Sequence, residues 1–252
     1  MPLSKVGLTR AGVILASLLA LELACRNGTI PRATMIAPSE MAAALWQILK
    51  SGKANADIAF TLVNTAAAIA LSVFAGFWLG AALHALPRLR KVLEPLLSAY
   101  YAVPVFIFYP VLIVAFGVGR TALIAMGAMF GIVAMIVNTM IGLDRVPRVI
   151  SRTAAVMRFG PLRWLLLLRV PAAAPQLVTG IKLAVAYSVI GIVAGEFILA
   201  TSGIGKRVAF AYDNFDNKTM YGLLLLLLIA VALVNGCLSA WEKQLHRRFG
   251  QR

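Results

Sequence analysis

The chain has 252 residues, 61% of them hydrophobic and 13% charged, with a formal net charge of +15. Soluble domains run at roughly 45–50% apolar and roughly 25% charged residues, so an ordinary soluble domain is excluded. The mean hydropathy of +0.89 points instead to one domain that crosses a membrane several times.

Six windows meet the length of about 20 apolar residues that a hydrocarbon core requires: roughly 8–25, 58–84, 93–116, 120–143, 177–200 and 219–240. The first carries Lys5 and Arg10 on its flank. Its "LELAC" at 21–25 is close to a lipoprotein cleavage box, but Glu22 stands where that box needs an aliphatic residue, so an uncleaved first helix is expected. The next segment, "PSEMAAALWQILKSG" (38–52), predicts a short interfacial helix. Ser39 would cap it, Glu40 and Met41 begin it, Gly52 end it, and Leu45, Ile48 and Leu49 form its apolar stripe.

Three windows carry glycines four apart, Gly76/Gly80, Gly127/Gly131 and Gly191/Gly195, a spacing that lets helices approach closely inside a bundle. In the third window Pro104 and Pro110 each remove a helix hydrogen bond and predict a bend. Tyr100 and Tyr101 lie near an interface, whereas Phe108 and Tyr109 lie deeper. A buried phenol needs a partner that lipid does not offer, so Tyr109 is expected to face the bundle interior and line or close a path, with Phe108 beside it. Asn138 in the fourth window is a second polar candidate.

Between the fourth and fifth windows, residues 144–176 hold Arg152, Arg158, Arg163 and Arg169 with Pro161, Pro171 and Pro175. A surface helix, a break at Gly160-Pro161 and a second amphipathic stretch would make a compact knob. An ordinary basic loop at lipid headgroups fits the same residues equally well. Beyond the fifth window, "TSGIGKRVAFAYDNFDNK" (201–218) is expected to be loosened by Gly203 and Gly205 and to offer Asp213 and Asp216 to a partner.

With the N-terminus in the cytoplasm, fifteen basic residues fall on inner segments and eight on outer ones, with Lys182 inside a span. This excess favours both termini in the cytoplasm and explains most of the positive charge without nucleic acid. On this topology Cys25 and Cys237 lie at opposite ends of the bilayer, too far apart for a disulfide within one chain. Two cysteines and two histidines build no metal cluster of ordinary spacing. "ATSGIGKR" (200–207) fails the phosphate-loop pattern at Ala200 and Arg207, and the sequence holds no H-E-x-x-H, no G-x-S-x-G and no paired aspartates within spans. Intramembrane hydrolysis therefore lacks its residues. Within the windows Glu22, Lys182, Glu196, Asn64, Asn138 and Asn235 are polar, and each charge lies near a span end where it can reach the interface. A self-sufficient carrier needs acids nearer the midplane, so energy is expected from a partner.

"AAVMRFGPLRWLLLLRVPAAAP" (154–175) resembles the EAA loop of ATP-binding-cassette importer permeases. The likeness continues through "APSEMAAALWQILKSG" (37–52), "PVLIVAFGVGRTALIAMGAMFGIVAMIVNTMIGLDRVPR" (110–148) and "VTGIKLAVAYSVIGIVAGEFILATSGIG" (178–205), which are similar to successive landmarks of the nitrate/sulfonate/taurine permeases. The resemblance implies an all-α permease of the type I importer kind: one domain over 1–252, a core over about 55–240 and a coupling loop at 144–176. It also implies a second permease subunit, with a homodimer expected, two cytoplasmic ATPase subunits that bind ATP and Mg, and a periplasmic binding protein. The chain itself would bind no cofactor and catalyse nothing, and it would sit in a bacterial inner membrane. Ala154 takes the place of the motif glutamate, with Ala155 and Val156 as its alanines, Gly160 its glycine and Pro171 its closing proline. The glutamate is missing, and the interval from Gly160 to Pro171 is about two residues shorter than usual. Arg158, Pro161 and Arg163 complete the expected coupling residues. For Glu196 and Lys182, common residues of the family's fifth span, structural or gating roles are expected over solute contact. The competing readings are a self-sufficient channel or secondary carrier and, less compatible with the residues, a membrane-embedded enzyme. The transported solute is expected to be a small anion, because the outer segments carry a modest excess of bases.

Overall fold

The computed structural model describes residues 5–100, 102–147, 149 and 159–249. Its elements in chain order are α1 (Lys5–Arg26), α2 (Pro38–Ser51), α3 (Asn55–Ala85), α4 (Pro87–Tyr100), a 3₁₀ turn (Val105–Phe108), α5 (Tyr109–Phe116) and α6 (Arg120–Asp144). After the loop come α7 (Pro161–Trp164), a π turn (Leu165–Arg169), α8 (Val170–Leu199), α9 (Ile204–Asp213) and α10 (Asn217–Phe249). No strand occurs among the described residues.

By length and composition, four helical runs among the described residues can cross a membrane: Asn55–Ala85, Arg120–Asp144, Leu162–Ile198 and Asn217–Gln244. A fifth is possible if α4 and the run Val105–Phe116 count as one span, although they meet at 101°. The sequence predicts six. The difference lies in two windows. The first forms α1 but is not among these four, and the third is broken rather than bent.

Proline explains the break only in part. Pro104 has an extended backbone and opens the 3₁₀ turn. Pro110 sits in the first turn of α5, where a missing N–H costs nothing, so it starts a helix instead of kinking one.

At the centre, α6 packs extensively against both α3 and α8, and α3 touches α8 over a smaller stretch. Lipid tails are as apolar as leucine, so burial alone does not hold such helices together; close packing of small residues does. All six glycines of the three spaced pairs lie at these crossings. A Cβ on Gly76 would meet Met135, one on Gly80 the Ile136 carbonyl, one on Gly127 Ile192, and one on Gly191 Phe130. Gly195 faces Met126 and Leu123. Gly131 is the tightest three-helix contact: its Cβ would lie 2.5 Å from Ser188 Oγ, 2.7 Å from Ser72 Oγ and 2.8 Å from the Ala184 carbonyl oxygen. The two serine hydroxyls are 3.0 Å apart, and Ser72 also donates to the Ala68 and Ala128 carbonyls, so the polar atoms at this crossing are satisfied internally.

The bundle has two ends. The α9 end carries α2, α9 and the start of α10. The loop end carries Asp144 and Gly160. At the α9 end, α2 packs Ala44, Leu45 and Ile48 against Gly222 of α10. Gly52 ends α2 at φ 68°, its N–H donating to the Leu49 carbonyl, as the sequence predicts. The start differs. Ala37 is the N-cap without a side-chain bond, because Ser39 is engaged elsewhere: its Oγ donates to Glu22 Oε1 at 2.6 Å and its N–H to Glu22 Oε2 at 3.0 Å. Ser39 thus ties α2 to α1.

Candidate functional site

Of the residues expected to couple the chain to a partner, Ala154, Ala155, Val156 and Arg158 lie outside the described residues. Gly160 is exposed, and a Cβ added to it would meet nothing within 4 Å. Its φ is not in the left-handed region, so the turn needs no glycine for its backbone. Pro161 is the first residue of α7, the favoured place for proline, and the Trp164 N–H donates to the Gly160 carbonyl at 2.9 Å. Arg163 is exposed.

The expected second helix and the fifth span prove to be one continuous run. Helix α7, the π turn and α8 follow without interruption, and neither Pro171 nor Pro175 stops them. The π turn is marked by the Val170 N–H bonding to the Leu165 carbonyl, a bond five residues back. Pro171 sits in the first turn of α8, where the loss of a donor is tolerated. The Arg169 guanidinium lies over the Trp164 ring at 3.6 Å. Nearby, Arg90 Nη1 is 2.8 Å from Asp144 Oδ2, which joins α4 to the end of α6. His84 Nδ1 is 3.0 Å from Asp144 Oδ1 without hydrogen-bond direction.

The pathway candidates separate. Tyr109 is 3% exposed and packs with Ala68, Leu123, Met126 and Ile192, inside the bundle. Phe108, its neighbour on the 3₁₀ turn, is 39% exposed and faces away from that core. Asn138 lies at the α6–α8 crossing toward the loop end, where its Nδ2 donates to the Ala134 carbonyl and its Oδ1 accepts from Gln176 Nε2 at 2.8 Å. Gln176 Oε1 in turn accepts from Arg145 Nη1. Tyr109 and Asn138 therefore belong to opposite halves of the molecule.

Glu196, the fourth candidate, is 0% exposed at the α9 end. Its Oε2 accepts from Thr61 Oγ1 at 2.7 Å and from the Gly205 N–H at 3.0 Å. Thr61 Oγ1 also accepts from the Ile204 N–H at 2.8 Å, and Asp57 Oδ1 accepts from the Gly203 N–H at 2.9 Å. Arg207 donates to Asp57 Oδ2 and to the Lys53 carbonyl. The segment that the sequence reads as loosened by glycines is therefore clasped. Gly203, at φ 111°, lies against the Glu196 carboxyl and leaves no room for a Cβ, and Gly205 lies against the Val193 carbonyl.

Sequence reasoning named Asn64 only as a polar residue within its window and missed that Asp57 and Thr61 line up with it. The three stand at i, i+4 and i+7 on the apolar helix α3, a polar stripe that could have been read directly. Asn64 is fully buried, and neither of its side-chain polar atoms has a hydrogen-bond partner among the described residues. Glu242 was also missed, because the sixth window ends before it. Helix α10 continues to Phe249 and brings Glu242 Oε2 to 2.7 Å from Lys182 Nζ. Both partners are partly shielded, so this pair should contribute more than an exposed one, on the order of 1 kcal/mol. In a double-mutant cycle, Lys182→Ala and Glu242→Ala should cost less together than the sum of the two; additive thermal-stability losses would deny the coupling.

Residues 68–251 match the binding-protein-dependent transport system inner membrane component family. The chain belongs to that family. Among its relatives, a riboflavin transport system permease protein of Chloroflexus aurantiacus is 29% identical over 61% of this chain and 60% of its own length. A nitrate import permease protein of Leptolyngbya laminosa is 28% identical over 73% of this chain and 64% of its own. A taurine transport system permease protein of Escherichia coli is 29% identical over 81% and 71%. The chain thus spans about three fifths of the riboflavin and nitrate relatives. These matches agree with the nitrate/sulfonate/taurine type of permease. In fold, the chain is similar to a chain of the MetNI methionine ABC transporter in an inward-facing conformation, with a TM-score of 0.65 at 18% identity, covering 75% of this chain and 94% of that one.

Proposed function

We propose that the chain is the membrane-spanning subunit of an ATP-driven importer, and that it forms, with a second copy of itself, the path for a small solute delivered by a periplasmic binding protein. The observation that carries this reading is the continuous helical run that starts at the open Gly160–Arg163 turn and crosses the bundle as α8. A partner that seats on the turn displaces one packed rod, and packed elements move as units. Family membership supports a binding protein and an ATPase as the partners. In this reading residues 1–252 form one permease domain, with 55–240 its core and 144–176 the loop that meets two ATPase subunits. ATP and Mg belong to those subunits, and this chain has no cofactor or catalysis of its own.

The excess of basic residues favours the loop end and both termini in the cytoplasm. The α9 end then faces the periplasm. A cysteine replacing the exposed Asn214, in a chain lacking Cys25 and Cys237, should react with an impermeant thiol reagent in intact spheroplasts. Labelling only after membrane rupture would invert the orientation.

The same reading assigns Tyr109, Phe108, Asn138 and Glu196 to the path or its gates. A self-sufficient channel or carrier fits less well, because Lys182 is paired with Glu242 and Glu196 is held by Thr61 and Gly205. The modest excess of bases on the outer segments favours a small anion, in line with a relative named for nitrate; relatives named for taurine and riboflavin widen the class to zwitterions and neutral solutes. The deciding experiment is uptake into proteoliposomes. Accumulation should require the chain, its ATPase, the loaded binding protein and ATP together. Uptake by the chain alone would favour the carrier.

A further inference from the structure

The Glu196 carboxyl sits where three elements meet, and its bonds interlock with those of Asp57. Three successive backbone N–H groups at the entry to α9, those of Gly203, Ile204 and Gly205, are accepted one each by Asp57, Thr61 and Glu196. Thr61 links the acids' two sites by donating to Glu196 while accepting from Ile204. Arg207 then braces Asp57 from the first turn of α9 and reaches the Lys53 carbonyl at the entry to α3. Below the clasp, Ile204 and Val208 of α9 pack with Ile58 of α3 and Leu223 of α10. Opening α9 away from the bundle would strip the fully buried Glu196 of its Gly205 donor, Thr61 of its Ile204 donor, and Asp57 of both its Gly203 and Arg207 donors. Buried charges tolerate such a loss poorly.

We infer that Glu196 and Asp57 are positioning residues that fix α9 to α3 and α8 as one rigid block, so that α9 rides with its subunit through transport and does not open as a separate lid. The inference deepens the importer reading and takes the transport cycle from it. It places the moving boundary outside this block, and not at the flexible-looking T-S-G-I-G segment within it.

Two measurements test it. Cysteines replacing Ile58 and Val208, in a chain lacking Cys25 and Cys237, are joined by a short cleavable thiol linker. The joined complex should take up solute as fast as the unjoined one; arrest that is reversed by cleaving the linker overturns the rigid block. The second measurement needs no transport. Hydrogen exchange at the Ile204 and Gly205 amides of the purified chain should be slow in wild type and in Glu196→Gln, which keeps an acceptor oxygen. In Glu196→Ala it should be faster by roughly tenfold at Gly205, whose N–H loses its acceptor. Equal exchange in all three overturns the positioning role whether or not the chain imports anything. Slow exchange in wild type with no ATP-driven uptake overturns the importer reading and leaves the clasp standing.

Discussion

Replacing Gly131 by valine should leave almost no folded chain in the membrane, whereas the same replacement at Gly236 should be silent. The Gly131 Cα faces Ser72, Ser188 and the Ala184 carbonyl, all closer to a Cβ position than 3.0 Å. Two of these walls are side chains held by hydrogen bonds to each other, and the third is backbone, so none can swing aside. Overpacking costs roughly 1–3 kcal/mol where neighbours can adjust, and more where they cannot. Valine would also separate Ser72 from Ser188 and break the hydrogen bond that joins their helices in an apolar setting. Gly236 on α10 has open space around it. The monodisperse fraction after detergent extraction reads the difference; equal recovery of the two variants would contradict the three-helix core.

Gly160→Asp and Arg163→Glu should do the opposite: spare the fold and damage the coupling. Gly160 precedes the first residue of α7, so aspartate there occupies an N-cap position, which favours helix formation. Neither side chain is buried against the rest of the bundle. Thermal stability should therefore stay at the wild-type value, while binding-protein-stimulated ATP hydrolysis by the assembled complex should fall roughly tenfold, the equivalent of about 1.4 kcal/mol of lost docking energy. Loss of stability would show the turn to be packed after all. Unchanged stimulation would show that the turn does not seat a partner.

Much of the core was legible because its signals are local. Glycines four apart mark close crossings wherever helices meet, and all six proved to lie on them. Gly52 after an amphipathic run marks a helix end for conformational reasons that need no tertiary context. What stayed hidden depends on residues distant in sequence. Ser39 has the chemistry of a cap, but Glu22 on another helix takes its hydroxyl. Gly203 and Gly205 read as flexible because glycine usually loosens a chain; here they are glycines because the Glu196 carboxyl and the Val193 carbonyl occupy the space a side chain would need. Tyr109 was placed inside by the cost of burying a phenol in lipid, and it lies inside. Phe108 carries no such constraint, and the adjacent backbone turns it outward.

The π turn at Leu165–Arg169 makes the helix that enters the bundle tolerant of a change in length. A π turn holds one more residue than the α-helical turn it replaces. Deleting a residue such as Leu167 would let the ladder close as α-helix without disturbing the side chains that pack α8 against α3 and α6. The extra residue is taken up within the turn it sits in, so everything before the deletion, the Gly160–Arg163 turn included, would keep its bearing around the helix axis. The π turn therefore acts as slack between Gly160 and Pro171: it takes up a residue while the turn keeps the compass bearing at which it leaves the membrane. Lineages that gain or lose a residue at this point would keep the contact aimed as before and inherit the span intact.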